Sequence, residues 1–290
     1  MADWSFAVRA LRSRNYRLFF TGQTLSLIGT WMTRVATSWL VYRLTNSALL
    51  LGLASFAGQI PAFFLGPLAG VWVDRWDRHR TLVWTQILSM LQSFALAVLA
   101  LAHIITIWEI ILLALAQGLI NAFDMPARQA FVIQMVERRE DLGNAIALNS
   151  SMVNATRLIG PALAGVLIAA VGEGYCFLTD GVSYIAVIIS LLLMQIRVQQ
   201  ARAGARRVMA ELQEGWRYVA SSVPIRSILL MLALSSLVGM PYTVLMPIFA
   251  SKILHGNANT LGFLMAATGV GALASAMLLA VRKSVLGLGR

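Results

Sequence analysis

Residues 70–80 read Gly-Val-Trp-Val-Asp-Arg-Trp-Asp-Arg-His-Arg, a short basic turn between two long apolar stretches. Two stretches without Asp, Glu, Lys or Arg flank the charged part of this turn. They are residues 44–73, which end just before Asp74, and residues 81–108, which follow Arg80. Each stretch exceeds the roughly 20 residues that cross ~30 Å of hydrocarbon as a helix. Because backbone groups in lipid must bond within their own segment, these stretches are helices. The run therefore predicts a turn between two membrane-spanning helices.

The rest of the chain has the same character. Of its 290 residues, 59% are hydrophobic and 12% are charged, against about 25% charged in a soluble domain. Two further charge-free runs cover 227–251 and 253–281. We predict an all-α membrane protein with eight spans, near 17–43, 48–73, 81–102, 106–124, 144–171, 176–196, 226–250 and 260–281.

The basic residues predict the orientation. There are 23 Lys and Arg against 12 Asp and Glu, a net charge of +11. In the eight-span arrangement, 19 of the Lys and Arg residues in loops fall on one side of the membrane and 2 fall on the other. Cytoplasmic loops carry the excess of Lys and Arg. We therefore expect a multi-pass protein of the cell inner membrane with both termini in the cytoplasm, and this topology explains the charge without nucleic acid.

The chain offers few groups for cofactor chemistry. It has one cysteine, Cys176, so no cysteine-based metal cluster can form. No phosphate-cradling Gly-rich loop is present, so no use of ATP is predicted. No nucleophile–base motif of an enzyme appears either. We expect no cofactor and no metal, with membrane lipid, a small-molecule substrate and protons as partners.

A weak internal repeat suggests how the spans are grouped. Ser26-Leu-Ile-Gly29 recurs as Ser236-Leu-Val-Gly239, as expected for parallel duplication of a span bundle. We predict an N-terminal six-span bundle over 1–196, a cytoplasmic linker over 197–225 and the first two spans of a second bundle over 226–290. The linker has apolar residues four apart, which favours an amphipathic helix on the membrane surface; a simple tether is the alternative.

Four segments together resemble the major facilitator superfamily, and within it the bacterial enterobactin and macrolide exporters. They are residues 14–19 (Arg-Asn-Tyr-Arg-Leu-Phe), the turn at 70–80, residues 121–128 (Asn-Ala-Phe-Asp-Met-Pro-Ala-Arg) and the Gly160-Pro161 pair. The resemblance implies a secondary active transporter that exports an amphipathic small molecule, such as a siderophore or drug. It further implies proton coupling and alternating access, and a protein that is not an enzyme.

The resemblance also assigns three motifs. The gating loop comprises Gly70, Asp74, Arg75, Arg78 and Arg80. In it, Gly70 would allow close helix approach, and Asp74 would form a pair that exists in only one transport state; ordinary positive-inside anchoring is the alternative. The exporter motif comprises Gly160, Pro161 and Gly165, for which a generic membrane-helix kink is the alternative. The subgroup motif, placed after the fourth span, comprises Asp124, Pro126 and Arg128.

Charged residues at span depth are the chemical candidates. Arg34 and Arg157 lie near the middle of the first and fifth spans, and such charges normally face a cavity or a partner. Asp180 is read as the only acid well inside a span. Two central arginines suit an anionic or catecholate-like cargo, whereas a structural Arg157–Asp180 pair is the alternative. The further substrate or coupling candidates are Asn149, Asn154, Gln59 and Asn121. Tryptophans, Trp31 among them, are interpreted as interfacial and packing residues.

Two readings compete with the exporter. In one of them, the chain is a truncated, non-transporting fragment of such a transporter, since twelve spans are expected of the superfamily and eight are predicted here. An intramembrane enzyme is the third reading, for which no nucleophile–base pair is visible.

Overall fold

The computed structural model describes residues 9–136, 138–195 and 208–281, and all regular structure in them is helical. Six long helices come first. They are α1 (Arg14–Thr45), α2 (Ala48–Arg75), α3 (Arg78–Leu101), α4 (Ile107–Met135), α5 (Leu142–Val171) and α6 (Glu173–Leu192). Single 3₁₀ turns at Arg9–Arg12 and Arg139–Asp141 precede α1 and α5. The all-helical membrane fold predicted from the sequence is confirmed.

The later part of the described chain contains four more helices. They are α7 (Val208–Ser221), α8 (Val223–Gly239), α9 (Pro241–Ile248) and α10 (Ala258–Val281), with a π-helical turn at Phe249–Ile253. Within the described residues, six segments are long and apolar enough to cross a membrane: α2 to α6 and the stretch Val223–Ile253. The 32-residue α1, which is more polar, and α10 occupy the positions of the first and eighth predicted spans.

Local sequence signals set several helix boundaries. The Ser47 hydroxyl accepts a hydrogen bond from the Leu50 N–H, and the Asp77 carboxylate accepts from the N–H groups of His79 and Arg80. These bonds satisfy amide donors that the first turn of a helix leaves unpaired. Gly172, with φ of +95°, separates α5 from α6 in a backbone conformation that side chains disfavour.

The helices at two predicted spans differ from the prediction, one in its end and one in its continuity. The fourth span does not end at residue 124, because α4 continues to Met135 with Pro126 inside it. Proline removes only one helix hydrogen bond, and buried Phe131 and Met135 anchor the added turns. The seventh span, predicted as continuous over 226–250, is interrupted at Met240, because Pro241 cannot donate to the preceding turn.

The six long helices pack around two apolar clusters separated by polar side chains. α1 contacts α5 and α6, α2 contacts α4, and α3 contacts both α4 and α6. One cluster contains Val35, Leu96 and Phe177, and the other contains Phe19 and Phe131. Between them, buried polar residues occupy α1, α3, α4 and α6: Gln23, Ser26, Thr85, Gln86, Ser89, Gln92, Ser93, Asp124 and Asp180. This polar layer holds the groups on which the candidate site depends.

The second part of the chain is attached mainly through α10. That helix packs closely along α5, whereas α8 has no buried residue in the described structure. The predicted division at 196 and 225 stays a prediction. Residues 197–207 of the predicted linker and residues 282–290 lie outside the described residues, while 208–221 form the helix α7.

Candidate functional site

The candidate site is organised by two neighbouring faces of α1. Residues three apart share a helix face, and adjacent residues point about 100° apart. Thr30 and Thr33 therefore lie on one face, which contacts α6 through Asp180 and Tyr184. Trp31 and Arg34 lie on the other face. One helix thus brings an acidic and a basic group to adjacent positions.

Arg34 and Arg157 converge on a single aromatic ring. The guanidinium carbon of Arg34 lies 4.7 Å from the Trp31 ring centroid, and that of Arg157 lies 5.8 Å from it. Both distances fall within the ~6 Å range of cation–π attraction. Arg34 is exposed and Arg157 is half-buried. Trp31 is therefore a packing residue, as interpreted from the sequence, and its ring also lies within cation–π distance of two charged side chains.

Asp180 is buried against the neighbouring face of α1, which carries Thr30 and Thr33. Its Oδ2 accepts hydrogen bonds of 2.9 Å from both Thr33 and Ser93, whereas its Oδ1 is buried and has no hydrogen-bond partner among the described residues. The Arg157–Asp180 pair considered as an alternative is not formed within the described structure. Asp180 turns toward α1 and α3, while Arg157 turns toward Trp31.

The remaining polar candidates are more scattered. Gln59 is exposed on α2, and Asn149 is half-buried on α5. Asn154 donates to the Ser150 carbonyl of its own helix at 2.9 Å. Asn121 accepts a 3.1 Å bond from Gln117, which also reaches Ser89 on α3. The structure does not bring these four residues into one cluster with the arginines.

A second buried acid, Asp124, binds α3 to α4. Its Oδ1 accepts from the Thr85 hydroxyl at 2.8 Å and the Gln86 amide at 2.7 Å, and its Oδ2 pairs with Arg128. The side chain of Asp124 is 3% exposed and that of Arg128 is 27% exposed. The reading of Asp180 as the only acid well inside a span was therefore wrong. It followed from ending the fourth span at residue 124, seventeen residues into a helix that reaches Met135.

The loop at 70–80 forms its own ion pairs. Asp74 pairs with Arg78 at 2.9 Å across the turn between α2 and α3, and Asp77 lies 3.6 Å from Arg80. The Asp74 side chain is 68% exposed, so this pair contributes little stability by itself. No helix of the described structure approaches Gly70 closely, because a Cβ added there would meet no atom within 4 Å. The close approach expected at Gly70 stays a prediction.

The Gly160-Pro161 motif packs α5 on two sides. A Cβ on Gly160 would collide with the Trp31 side chain of α1. On the opposite side, a Cβ on Gly165 would lie 3.0 Å from the Gly262 Cα of α10. The motif therefore places α5 close to both helices and holds Trp31 beside Arg157.

Several important residues were missed from the sequence. Thr33, Ser93, Thr85 and Gln86 supply the hydrogen bonds to the two buried acids. On α3, polar residues recur three or four positions apart in an otherwise apolar helix, and this spacing was the available signal. The hydroxyl groups of α1 gave no comparable signal, because threonine is common in membrane helices.

Comparison with known proteins gives a consistent result. The sequence profile of the family described as transmembrane secretion effectors matches residues 5–289. The chain is similar to the Staphyloferrin A transporter of Staphylococcus aureus, with 27% identity over 91% of this chain and 66% of that protein. It is also similar to Macrolide efflux protein A of Streptococcus pyogenes, with 25% identity over 84% and 61%. The Multidrug efflux pump Tap of Mycolicibacterium fortuitum is 27% identical over 86% and 62%.

A solved structure has the same fold. It is that of a bacterial homologue of the human lysosomal transporter Spinster, with a TM-score of 0.70, 13% identity, and coverage of 89% of this chain and 59% of that one. These matches are to transporters and not to enzymes. The chain spans about three fifths to two thirds of the length of the proteins it matches.

Proposed function

This chain belongs to the family of transmembrane secretion effectors in the major facilitator superfamily, and we propose that it exports an anionic, amphipathic small molecule. The observation that carries the proposal is the convergence of Arg34 and Arg157 on Trp31. The names of its relatives include a staphyloferrin transporter, a macrolide efflux protein and a multidrug efflux pump. A siderophore or a drug is therefore the class of cargo.

Two arginines around one tryptophan suit an anionic cargo with an apolar or aromatic body. A guanidinium at span depth costs about 2.5–3.5 kcal/mol on insertion scales, so two of them near one ring require a function or a partner. Arginine keeps its charge at any physiological pH and can bind a carboxylate or catecholate with two hydrogen bonds. The indole ring supplies an apolar surface for the rest of the molecule.

Asp180 is the proposed proton-carrying group. One of its oxygens has no partner in the described chain, and the other is bonded only by hydroxyls that can donate or accept. A carboxyl group in this setting can be accommodated in either protonation state. Thr33, which donates to Asp180, is the neighbour of Arg34 on α1, so a proton on Asp180 would change how strongly Arg34 attracts an anion. This link would couple proton entry to cargo release.

Alternating access is the proposed mechanism, with the turn between α2 and α3 as a gate. The Asp74–Arg78 pair is exposed and cheap to break, which suits a contact that exists in one state only. Asp74→Asn should then reduce efflux at unchanged membrane abundance. Equal efflux by Asp74→Asn and the unaltered chain would rule out this gate.

The cargo site is tested by binding to the purified full chain in lipid nanodiscs, with staphyloferrin A and a macrolide as probes. We expect Arg34→Gln/Arg157→Gln to weaken binding of the anionic siderophore at least tenfold. The control is Arg43→Gln, which removes a cation that pairs with Glu173 away from Trp31. Arg157→Lys, which keeps charge but not the paired donors, should be intermediate. Unchanged siderophore binding by the double variant would overturn the proposal.

The proposed topology puts both termini in the cytoplasm. A periplasm-active reporter fused after Gly174 or Asn257 should be active, and one fused after Arg80 should be silent. Activity after Arg80 would overturn this orientation and the span order behind it.

A further inference from the structure

Buried glycines lie in both of the helix contacts that meet at Asp180. A Cβ added to Gly29 of α1 would lie 2.8 Å from both the Cα and the Oδ1 of Asp180 on α6. A Cβ added to Gly181 of α6 would lie 2.8 Å from two ring carbons of Phe94 on α3. Carbon atoms normally pack at about 3.5–4.0 Å, so neither contact leaves room for a side chain.

These close approaches bring two hydroxyl donors to the carboxyl group. Thr33, one turn beyond Gly29 on α1, and Ser93, the residue before Phe94 on α3, each donate to Asp180 Oδ2 at 2.9 Å. A side chain at position 29 would have to separate α1 from α6 by about 0.7–1.2 Å to restore ordinary packing. A hydroxyl–carboxylate bond stretched by that amount lies outside the range in which such bonds form.

A third glycine packs the same two helices without reaching the acid. Gly22 lies two turns from Gly29 on the same face of α1, about 10 Å along the helix axis. A Cβ added to Gly22 would lie 2.5 Å from the Oγ of Ser190 on α6. Close packing of α1 on α6 is thus common to both glycines, and only the contact at Gly29 sets the distance from Thr33 to the carboxyl group.

The surroundings of Asp180 make its position consequential. On α1, the nearest charged residue is Arg34, next to Thr33, and on α6 the titratable residues Cys176 and Tyr184 lie four positions away on either side. Beyond its first turn, α3 has no charged residue and faces the acid with hydroxyl and amide groups. Among the described residues the carboxyl group forms no ion pair, so its charge depends on the two hydroxyl donors.

We infer that Gly29 and Gly181 are positioning residues for Asp180, which hold α1 and α3 close enough for Thr33 and Ser93 to bond its carboxyl group. The inference rests on the proposed function, in which Asp180 carries the proton, and adds two residues to that role. Neither glycine touches the cargo or the proton. Each acts through the hydroxyl group that its helix contact brings within reach.

The first experiment measures the coupling between Thr33→Val and Asp180→Ala in the full chain, from dye labelling of the buried Cys176 thiol on heating. Both substitutions remove the same hydrogen bond, so their combined effect should be smaller than the sum of the two. Gly29→Ala should abolish this coupling, because the bond is already lost. The matched control Gly22→Ala should keep the coupling while lowering the labelling temperature to a similar extent. Equal coupling in the two glycine variants would overturn the inference.

The contact with α3 is tested in the same way through Ser93. Gly181→Ala should abolish the coupling between Ser93→Ala and Asp180→Ala and keep the coupling to Thr33, whereas Gly29→Ala should do the reverse. A general loosening of the bundle would instead remove both couplings in both variants. That result would assign the glycines to packing alone and contradict a positioning role.

The pH dependence of staphyloferrin A binding in nanodiscs separates this inference from the proposed function. Gly29→Ala should shift the pH of half-maximal binding by about one to two units, the contribution of a hydrogen bond to a charged group. Gly22→Ala should not shift it, although it packs the same helices. An unshifted profile in Gly29→Ala would overturn the inference. If Asp180→Asn left the pH dependence of the unaltered chain intact, the proposed proton role would fail, and the coupling measurements would still decide whether the glycines position Asp180.

Discussion

The two buried acids of the bundle have opposite surroundings. Asp124 uses both carboxylate oxygens, with Thr85 and Gln86 on one and Arg128 on the other. Asp180 uses one oxygen, bonded by Thr33 and Ser93, and leaves the other without a partner among the described residues. Both are about 2% exposed, so burial alone does not separate them.

The difference indicates different roles. A carboxylate that is paired and hydrogen-bonded holds its charge in place, and removing one partner of such a pair strands the other. A carboxylate that lacks an ion pair and has one unsatisfied oxygen is poorly stabilised as an anion, which suits a group that changes protonation. We therefore expect Asp124 to maintain the α3–α4 interface and Asp180 to serve transport.

Replacing each acid by alanine should give the largest contrast. Asp124→Ala leaves Arg128 without its partner and should lower the free energy of unfolding by about 3–5 kcal/mol. Asp180→Ala strands no paired cation and should cost clearly less. Labelling of Cys176, the single cysteine, by a maleimide dye on heating measures both, since its thiol is buried in the folded chain. Equal losses would remove the distinction between the two acids.

The ion pair itself is tested by a double-mutant cycle. Asp124→Asn and Arg128→Gln should each destabilise the chain, and the double variant should recover part of the loss, with a coupling of about 0.5–3 kcal/mol. Asp180→Asn with Arg128→Gln is the control. Asp124 and Asp180 contact α3 about 12 Å apart along its axis, so the effects of these two substitutions should simply add. Strict additivity for Asp124 and Arg128 would show that the pair contributes no stability.

Deleting one hydroxyl beside Asp180 should have a smaller but distinct effect. Among the described residues, Ser93→Ala leaves Thr33 as the one hydroxyl bonded to Asp180. The substitution should cost about 1.5–3 kcal/mol if the carboxyl group is charged. The same dye assay at several pH values follows the loss. Thr85→Val is the matched variant beside Asp124. If Ser93→Ala cost as little as Thr85→Val, Asp180 would not depend on each of its hydrogen-bond donors more than Asp124 does.

That matched variant, Thr85→Val, should have the smallest effect. Valine has nearly the shape of threonine, and Asp124 keeps its bonds from Gln86 and Arg128. We expect a cost of about 0.5–1.5 kcal/mol. A larger loss than for Ser93→Ala would reverse the comparison and make the Asp124 network the more fragile of the two.

Much of the fold could be predicted from the sequence, because a membrane span is a local property. An apolar run of sufficient length must be helical wherever it lies, so the basic turn at 70–80 and its flanking helices followed from composition alone. The two places where the helices differ from the predicted spans have local causes. α4 continues through Pro126, and the seventh span is interrupted before Pro241. Proline at these positions is compatible with either a continuous or an interrupted helix. Packing against neighbouring residues decides which of the two forms.

By itself, the sequence determined that this is a multi-helix membrane protein with two arginines and an acid within its spans. Only the tertiary structure decided which of them meet, because contacts depend on how each helix is rotated about its axis. That rotation placed Arg34 and Arg157 on Trp31, separated Arg157 from Asp180 and left open space where a side chain at position 70 would lie. Rotation is set by close contacts between helices, such as Gly160 against Trp31, and these contacts join residues far apart in the chain.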